Sequence, residues 1–349
     1  MRLVLISDAW APQVNGVVRT LRTTVKILRK RGHVVKVISP NAYPTIACPT
    51  YPEIRLAIAP GRRLARALQH YDPDAVHIAT EGPLGWTARG WCLRKKIPFT
   101  TSFHTHFAEY VALRTGPPAS WFWRILRRFH APSSAIFTAT QSLDAELHQH
   151  GLRQTRRWSR GVDLTLFRPD GPRLGMLASL PRPLMLHVGR VATEKNIEAF
   201  LDVDHPGTKI VVGDGPARAQ MEERYPNVRF LGVLHGAELT MAYRSADIFV
   251  FPSRTDTFGL VMIEALASGL PVAAYPVRGA LDLIGREGRG LSGCNARIGA
   301  VDEDLAVAIS MALSSDREAC VAEGRRYRWA ACTDQFLTGL SRRERTRIL

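Results

Sequence analysis

The chain has 349 residues, of which 46% are hydrophobic and 22% charged, with a formal net charge of +16. That balance is ordinary for globular domains and argues against disorder, a collagen-like repeat or a coiled coil. The length suggests about two domains and suffices to bury a core without disulfide or metal staples.

The amino-terminal half reads as alternating strands and helices. Arg2 to Ser7 is a short apolar run with the length of a buried strand. A loop with Pro12, Asn15 and Gly16 follows, and Val17 to Arg31 reads as an amphipathic helix stopped by Gly32. Its expected inner face is Val17, Leu21, Val25 and Leu28. His33 to Ser39 is the next strand, which completes a β-loop-α-β unit, the seed of a parallel sheet. Asp74–Ile78, Pro98–Phe103 and Ala135–Ala139 continue as strands, with helical patterns between them. Residues 163–183 are punctuated by Gly and Pro and read as a linker.

The pattern then restarts. Leu184–Val188 is a strand ending at Gly189, and a helix begins near Asn196. Lys209–Val212, Asn227–Leu231, Asp247–Phe251 and Leu270–Tyr275 are further strands. The helix around Leu260 to Ser268 follows the third of these. Two successive α/β units are therefore expected, each long enough for a doubly wound domain. Neither carries GxGxxG, so dinucleotide binding is unsupported.

Cys48, Cys92, Cys294, Cys320 and Cys332 include no CxxC spacing, which argues against structural zinc. Their odd number and wide spacing suit a reducing compartment. No apolar run reaches the ~18 residues of a membrane span. The most apolar stretch, Phe258 to Tyr275, carries Glu264. Asp8 comes too early for a secretory signal. The expected location is cytoplasmic.

The charge is unevenly placed. Residues 1–168 hold 25 basic and 9 acidic side chains, a net +16, whereas residues 169–349 hold 22 of each. Forty of the 47 basic residues are Arg. Arginine-rich codon usage would raise Arg everywhere, yet the second half is neutral. The asymmetry points to an anionic partner. From Pro118 to His130 aromatics alternate with Arg. Trp121, Ile125 and Phe129 are expected on one helix face, with Arg124, Arg127 and Arg128 elsewhere on the wheel. This is the pattern of an interfacial helix, or of a surface helix packed on its own domain.

In open α/β sheets ligands bind beyond the carboxyl ends of the strands. Four places follow such ends: Asn15-Gly16, His104, Arg190 to Lys195, and Asp256 to Glu264. Arg190 and Lys195 flank a strand-to-helix turn where cations can hold phosphate, unless they are an ordinary solvated pair. Asp256 lies in a loop. Phe258, Gly259 and Leu260 lead into a helix whose first N–H groups are unsatisfied. Glu264 lies in an otherwise apolar helix, costly unless it is paired or faces a cleft. Carboxylates to accept from hydroxyls, beside cations and a helix start for phosphates, suit a ligand carrying both groups.

These residues fall in an ordered series. It comprises Pro-Gln-Val-Asn15-Gly16-Val, Ser102-Phe-His104-Thr, Gly161-Val-Asp163, Phe167-Arg-Pro169, Val188-Gly-Arg190, Glu194-Lys195-Asn196, Gly213-Asp-Gly215-Pro and Ala246-Asp247. It closes with the acidic-x7-Glu signature from Asp256 to Glu264, and Gly269-Leu-Pro271-Val. Over nearly its whole length the chain resembles the retaining glycosyltransferases of family 4, which have two Rossmann-like domains facing a cleft, the GT-B fold. The signature usually opens with Glu, and here it opens with Asp256. Arg254-Thr-Asp-Thr-Phe-Gly resembles a subgroup of lipid-acting mannosyl-, glucosyl-, glucuronosyl- and sulfoquinovosyl-transferases.

The resemblance implies an acceptor domain over residues 1–168, a nucleotide-sugar domain over 169–325, and a terminal helix, 326–349, crossing back to the first. The donor would be a UDP- or GDP-sugar. Glu264 would accept from ribose hydroxyls. Arg190 and Lys195, with backbone N–H groups at Phe258, Gly259, Leu260 and Gly16, would hold the diphosphate in place of a metal ion, and Asn15 would stand beside them. Asp256 would accept from sugar hydroxyls. His104 would sit near the sugar, although His106 is close in sequence. No metal or other cofactor is expected, and no nucleic-acid partner. The acceptor would be a membrane lipid or another hydroxyl compound, met at the inner face of the cytoplasmic membrane. A sugar-nucleotide epimerase, a catalytically inert sensor and a basic nucleic-acid-binding module are the alternatives.

Overall fold

The computed structural model describes residues 1–13, 15–48, 51–104, 118–256, 258–290 and 295–343. The chain forms two compact α/β units. One is Met1–Ser159 together with Trp329–Leu349, and the other is Arg160–Arg328.

The first unit runs β1 (Arg2–Ile6), α1 (Gly16–Lys30), β2 (Val34–Ile38), β3 (Thr45–Cys48), β4 (Tyr51–Ala57), α2 (Gly61–Tyr71), β5 (Ala75–Ile78) and α3 (Pro83–Lys95). It continues with β6 (Phe99–Phe103), α4 (Ala119–His130), β7 (Ala135–Thr138), α5 (Gln141–Gln149) and β8 (Thr155–Arg157). Six parallel strands lie in the order β2-β1-β5-β6-β7-β8, while β3 and β4 form a separate antiparallel pair. Leu3 to Ile6 are fully buried because helices cover both faces of a parallel sheet. α1 is capped by Asn15, whose side chain accepts from the Val18 N–H at 2.9 Å. Its buried apolar positions are Val18, Leu21, Val25 and Leu28. Val17, expected on that face, is half-buried and packs against the same core cluster at the exposed start of the helix.

The second unit runs β9 (Leu184–Val188), α6 (Ile197–Leu201), β10 (Thr208–Val212), α7 (Arg218–Arg224), β11 (Arg229–Gly232), α8 (Gly236–Ser245) and β12 (Ile248–Phe251). α9 (Leu260–Ala267), β13 (Val272–Ala274), α10 (Arg278–Ile284), β14 (Gly299–Val301), α11 (Leu305–Ala312) and α12 (Arg317–Arg326) complete it. The strand order is β11-β10-β9-β12-β13-β14, all parallel. Counted within the unit this is 3-2-1-4-5-6, the doubly wound order whose topological switch point lies between the first and fourth strands. Here those strands are β9 and β12.

Residues 160–168, expected in the first domain, belong to the second unit. The Arg244 guanidinium, largely buried, donates to the carbonyls of Leu166 and Arg168 at 2.9 and 3.0 Å, and Phe167 packs edge-on against Tyr243. Asp247 has a structural task as well. It accepts from the Leu184 N–H at 2.8 Å and pairs with Arg182, tying the starts of β9 and β12 together.

After Arg328 the chain re-enters the first unit as α13 (Trp329–Gly339). Phe336 is fully buried there, with its ring centroid 4.8 Å from that of Trp158 and 5.4 Å from that of Phe137. A Cβ at Gly339 would lie 2.1 Å from Phe137, so only glycine fits that approach. Among the described residues no helix is long and apolar enough to cross a membrane.

Candidate active site

In the second unit the switch point gathers the predicted residues. The loop leaving β9 carries Arg190 and Lys195, and the loop leaving the adjacent β12 carries Asp256. Lys195 Nζ donates to both oxygens of Asp256, at 2.6 and 2.8 Å, with each side chain about a quarter exposed. Two further bonds join the loops. The Asn196 side-chain amide donates to the Pro252 carbonyl at 3.0 Å, and the Thr255 hydroxyl donates to the Glu194 carbonyl at 3.2 Å. Arg190 is exposed. Asp256 is thus a charge-paired carboxylate, a pairing that the sequence reading did not foresee.

The turn after β10 supports this arrangement. Gly213 has φ +139°, and a Cβ there would lie 1.8 Å from the Gly189 carbonyl oxygen. One at Gly215 would meet the Val191 carbonyl at 2.3 Å. The glycine pair therefore lets this turn press against the backbone that carries Arg190. His187, the fourth residue of β9, lies fully buried beneath. Its Nδ1 is 3.1 Å from the Val250 carbonyl, and burial pushes its pKa down to about 4, so it is neutral at physiological pH.

Phe258, Gly259 and Leu260 form the entry to α9. Gly259 is its N-cap at φ +73°, where a Cβ would collide with Met262 and Phe251. Glycine is thus required both by conformation and by space. Met262 closes the first turn by donating its N–H to the Gly259 carbonyl at 3.0 Å, while the N–H groups ahead of it precede the first intrahelical acceptors. Phe258 is buried, with its ring centroid 6.0 Å from that of Tyr327. Glu264 is only 2% exposed, and the fully buried Tyr243 hydroxyl donates to its Oε2 at 3.1 Å. Tyr243, on α8, is a site residue that the sequence reading missed. One end of this sheet thus carries Arg190, Lys195 and Asp256 at least partly exposed, beside a helix start within which Glu264 is buried.

In the first unit Asn15 and Gly16 open α1, directly beyond β1, and both are exposed. His104 immediately follows β6 and is largely buried, with its ring centroid 5.8 Å from that of Trp158. His106, Val14 and Thr257 lie outside the described residues. Sequence reading also passed over Asp8, at the end of β1. It is buried, and accepts from the Leu84 and Gly85 N–H groups at 3.0 and 3.3 Å and from the Thr80 hydroxyl at 3.0 Å. Burial raises its pKa against those hydrogen bonds. Nearby in sequence, Glu81 pairs with His130 at 3.2 Å.

α4 corrects one expectation. Phe129 is fully buried, with its ring centroid 5.1 Å from that of Trp86. Trp123 and Leu126 share that inward side. Eight residues of helix rotate about 80° away from a strict stripe, so Phe129 leaves the line that starts at Trp121. Trp121 and Ile125 remain 51% and 37% exposed, beside exposed Arg124, Arg127 and Arg128. Among the described residues no group of three His, Cys, Asp or Glu side chains gathers as a metal site.

Residues 14–166 match the family described as Glycosyltransferase Family 4, and residues 182–315 match Glycosyl transferases group 1. The chain is 31% identical over 310 residues to the GDP-mannose-dependent alpha-mannosyltransferase of Mycolicibacterium smegmatis, covering 81% of this chain and 82% of that one. It is 31% identical over 325 residues to the sulfoquinovosyl transferase SQD2 of Arabidopsis thaliana, covering 86% of this chain but 62% of that protein's length. An alpha-monoglucosyldiacylglycerol synthase from Streptococcus pneumoniae is 28% identical over 319 residues, covering 79% of this chain and 71% of that one. The structure of sucrose-phosphate synthase from Thermosynechococcus elongatus superposes with a TM-score of 0.71 at 21% identity, covering 97% of each chain.

Proposed function

The chain belongs to glycosyltransferase family 4, and from that premise we propose a retaining, metal-independent transfer of a hexose-type sugar from a UDP- or GDP-sugar to a hydroxyl of a membrane lipid. The observation that carries this reading is the pairing of Lys195 with Asp256 at the β9/β12 switch point, with Glu264 buried behind the start of α9. The set matches a ligand made of ribose, diphosphate and sugar. Glu264 receives the ribose hydroxyls. Arg190, Lys195 and the N–H groups of Phe258, Gly259 and Leu260 take the diphosphate. Asp256 receives sugar hydroxyls once the phosphates draw Lys195 away.

Same-face substitution suits these groups. The bond from the anomeric carbon to the leaving phosphate oxygen breaks as the acceptor oxygen attacks from the same side. The departing phosphate takes the acceptor's proton. No protein nucleophile is needed for this route. Catalysis consists of positioning and of stabilising the leaving diphosphate. The two cations supply the charge that a metal ion gives in other transferases. His104 and Asn15-Gly16 belong to the unit that presents the acceptor, and the roles proposed for them are to hold the sugar and to add an N–H to the phosphates.

A thermal-shift panel of UDP- and GDP-sugars in EDTA tests the donor. A ligand at 100 times its Kd raises stability by ~2.7 kcal/mol. One sugar nucleotide is expected to reach that order with EDTA present. A shift that requires added magnesium or manganese would oppose the metal-independent reading.

The lipid acceptor is supported by the name of the glucosyldiacylglycerol synthase relative and by the +16 excess of residues 1–168. The proposed location is the inner face of the cytoplasmic membrane. α4 would insert Trp121 and Ile125, while Arg124, Arg127 and Arg128 meet headgroups at ~1 kcal/mol each. Replacing the three arginines with Ser is expected to cut co-sedimentation with anionic vesicles at low salt and leave donor affinity unchanged. Equal binding to neutral and anionic vesicles would remove α4 as the membrane contact.

A further inference from the structure

A second concavity in the first unit has no place in that reaction. It holds ≈ 360 Å³ and is lined by Trp10, Arg22, Val25, Lys26, Arg29 and Lys30. Trp10 lies in the loop after β1, and the other five lie on α1. Arg22, Lys26 and Lys30 recur at spacings of four, so neighbouring members stand one turn apart, and all three line the hollow. All four cations are exposed. Among the described residues none of them has an acidic partner, although several other arginines of this unit do, as in Arg31 with Asp334 and Arg157 with Asp144. Arg29 is held in place by donating to the Val35 carbonyl at 2.8 Å.

Local causes explain only part of this. Arg29 and Lys30 complement the carboxyl end of the α1 dipole. Arg22 and Lys26 lie a turn or more earlier, where that benefit has faded. Like charges at i, i+4 destabilise a helix. Arginine-rich composition does not account for Lys26 and Lys30, since the chain has seven lysines in all. Four unneutralised cations around a hollow with an indole wall lower their free energy when an anion enters.

We propose that the hollow between Trp10 and the basic face of α1 binds a phosphate-bearing anion, with Arg22, Lys26 and Lys30 on the phosphate oxygens and Trp10 against the rest of the ligand. The Arg29 guanidinium, fixed by Val35, sets the edge of the site. The shared chemistry is a phosphate mono- or diester of net negative charge, whether on a lipid headgroup or in solution. The site belongs to the other unit from Arg190 and Lys195 and to a helix other than α4, and it does not depend on the acceptor being a lipid.

The test uses the full chain and two probes. One is a phosphatidylcholine vesicle with or without phosphatidylglycerol. The other is inorganic pyrophosphate, titrated in an Arg190→Ala/Lys195→Ala background so that the donor site does not contribute. Arg22→Ser/Lys26→Ser/Lys30→Ser is expected to weaken binding by about tenfold or more. Arg22→Lys/Lys26→Arg/Lys30→Arg is expected to restore it. Loss confined to the vesicles identifies a headgroup as the source of the phosphate, and loss with pyrophosphate identifies a soluble ester. Should the triple serine variant fail to fold, Arg22→Ser and Lys26→Ser alone, at exposed positions, carry the test with a severalfold loss each. Unchanged binding of both probes, or no binding by the unaltered site, would overturn the proposal. Loss of vesicle binding in the α4 arginine variant with the α1 effect intact would separate the two surfaces.

Discussion

Glu264→Gln is expected to lower kcat/KM by about two orders of magnitude while the protein stays folded. Glutamine keeps the volume, so the apolar packing of α9 survives. The change removes a buried charge and one acceptor oxygen, and a hydrogen bond to a charged group contributes ~1.5–3 kcal/mol. The Tyr243 hydroxyl already donates to Oε2. Gln has a single carbonyl oxygen to share between Tyr243 and the ribose, and its amide would face a donor. Tyr243→Phe keeps the carboxylate and is expected to cost only ~1 kcal/mol of donor affinity. Donor titration by thermal shift, beside transfer kinetics, separates the two variants. A Glu264→Gln enzyme with unaltered donor affinity would remove Glu264 from the nucleotide site. Glu264→Ala is the poorer variant, because it leaves a cavity and strips Tyr243 of a buried partner, each a destabilisation in its own right.

The Lys195–Asp256 pair gives effects of opposite sign. Without donor, each neutralises the other at 2.6 and 2.8 Å. In the proposed reaction a diphosphate wins Lys195 from Asp256 before Asp256 accepts from a sugar. Asp256→Asn releases Lys195 and is expected to tighten binding of the sugar-free nucleoside diphosphate severalfold, the order of ~1 kcal/mol for a partly exposed pair. The same change is expected to lower transfer at least ~100-fold, since a charged acceptor to the sugar is gone. Lys195→Ala should weaken both. In the double variant the losses should not add, because the two side chains touch. Calorimetric titration with UDP and GDP beside transfer rates measures all four corners. Additive losses, or no gain in nucleoside diphosphate affinity for Asp256→Asn, would show that the pair is not exchanged during the reaction.

The sheet cores were legible because parallel strands covered on both faces are apolar runs, as in Leu184–Val188. Short or polar pieces were not. β8 is Thr-Arg-Arg at a sheet edge, β14 has three residues, and the β3/β4 pair carries no strong turn signal. The position of Asp256 and Glu264 beyond β12 was readable from the strand-loop-helix pattern. Their partners were not, because Lys195 stands 61 residues from Asp256 and Tyr243 stands 21 from Glu264. Contacts of that separation follow from strand order, and β9 beside β12 is a property of the whole sheet. Phe129 went wrong for a local reason. Spacings of four accumulate rotation along a helix, so a stripe read as i, i+4, i+8 drifts off the face on which it began. Asp8 left a faint signal, an acid directly after an apolar strand. Its bonds to the start of α3 account for the acid there without any ligand.

The central claim is a retaining transfer supported by side-chain cations. The most direct measurement is proton NMR of the glycosylated product formed in EDTA from the best donor of the panel. The anomeric proton is expected to show the donor's own configuration, at a rate unchanged by the chelator. A product of inverted configuration, or one that forms only after magnesium or manganese is restored, would contradict it.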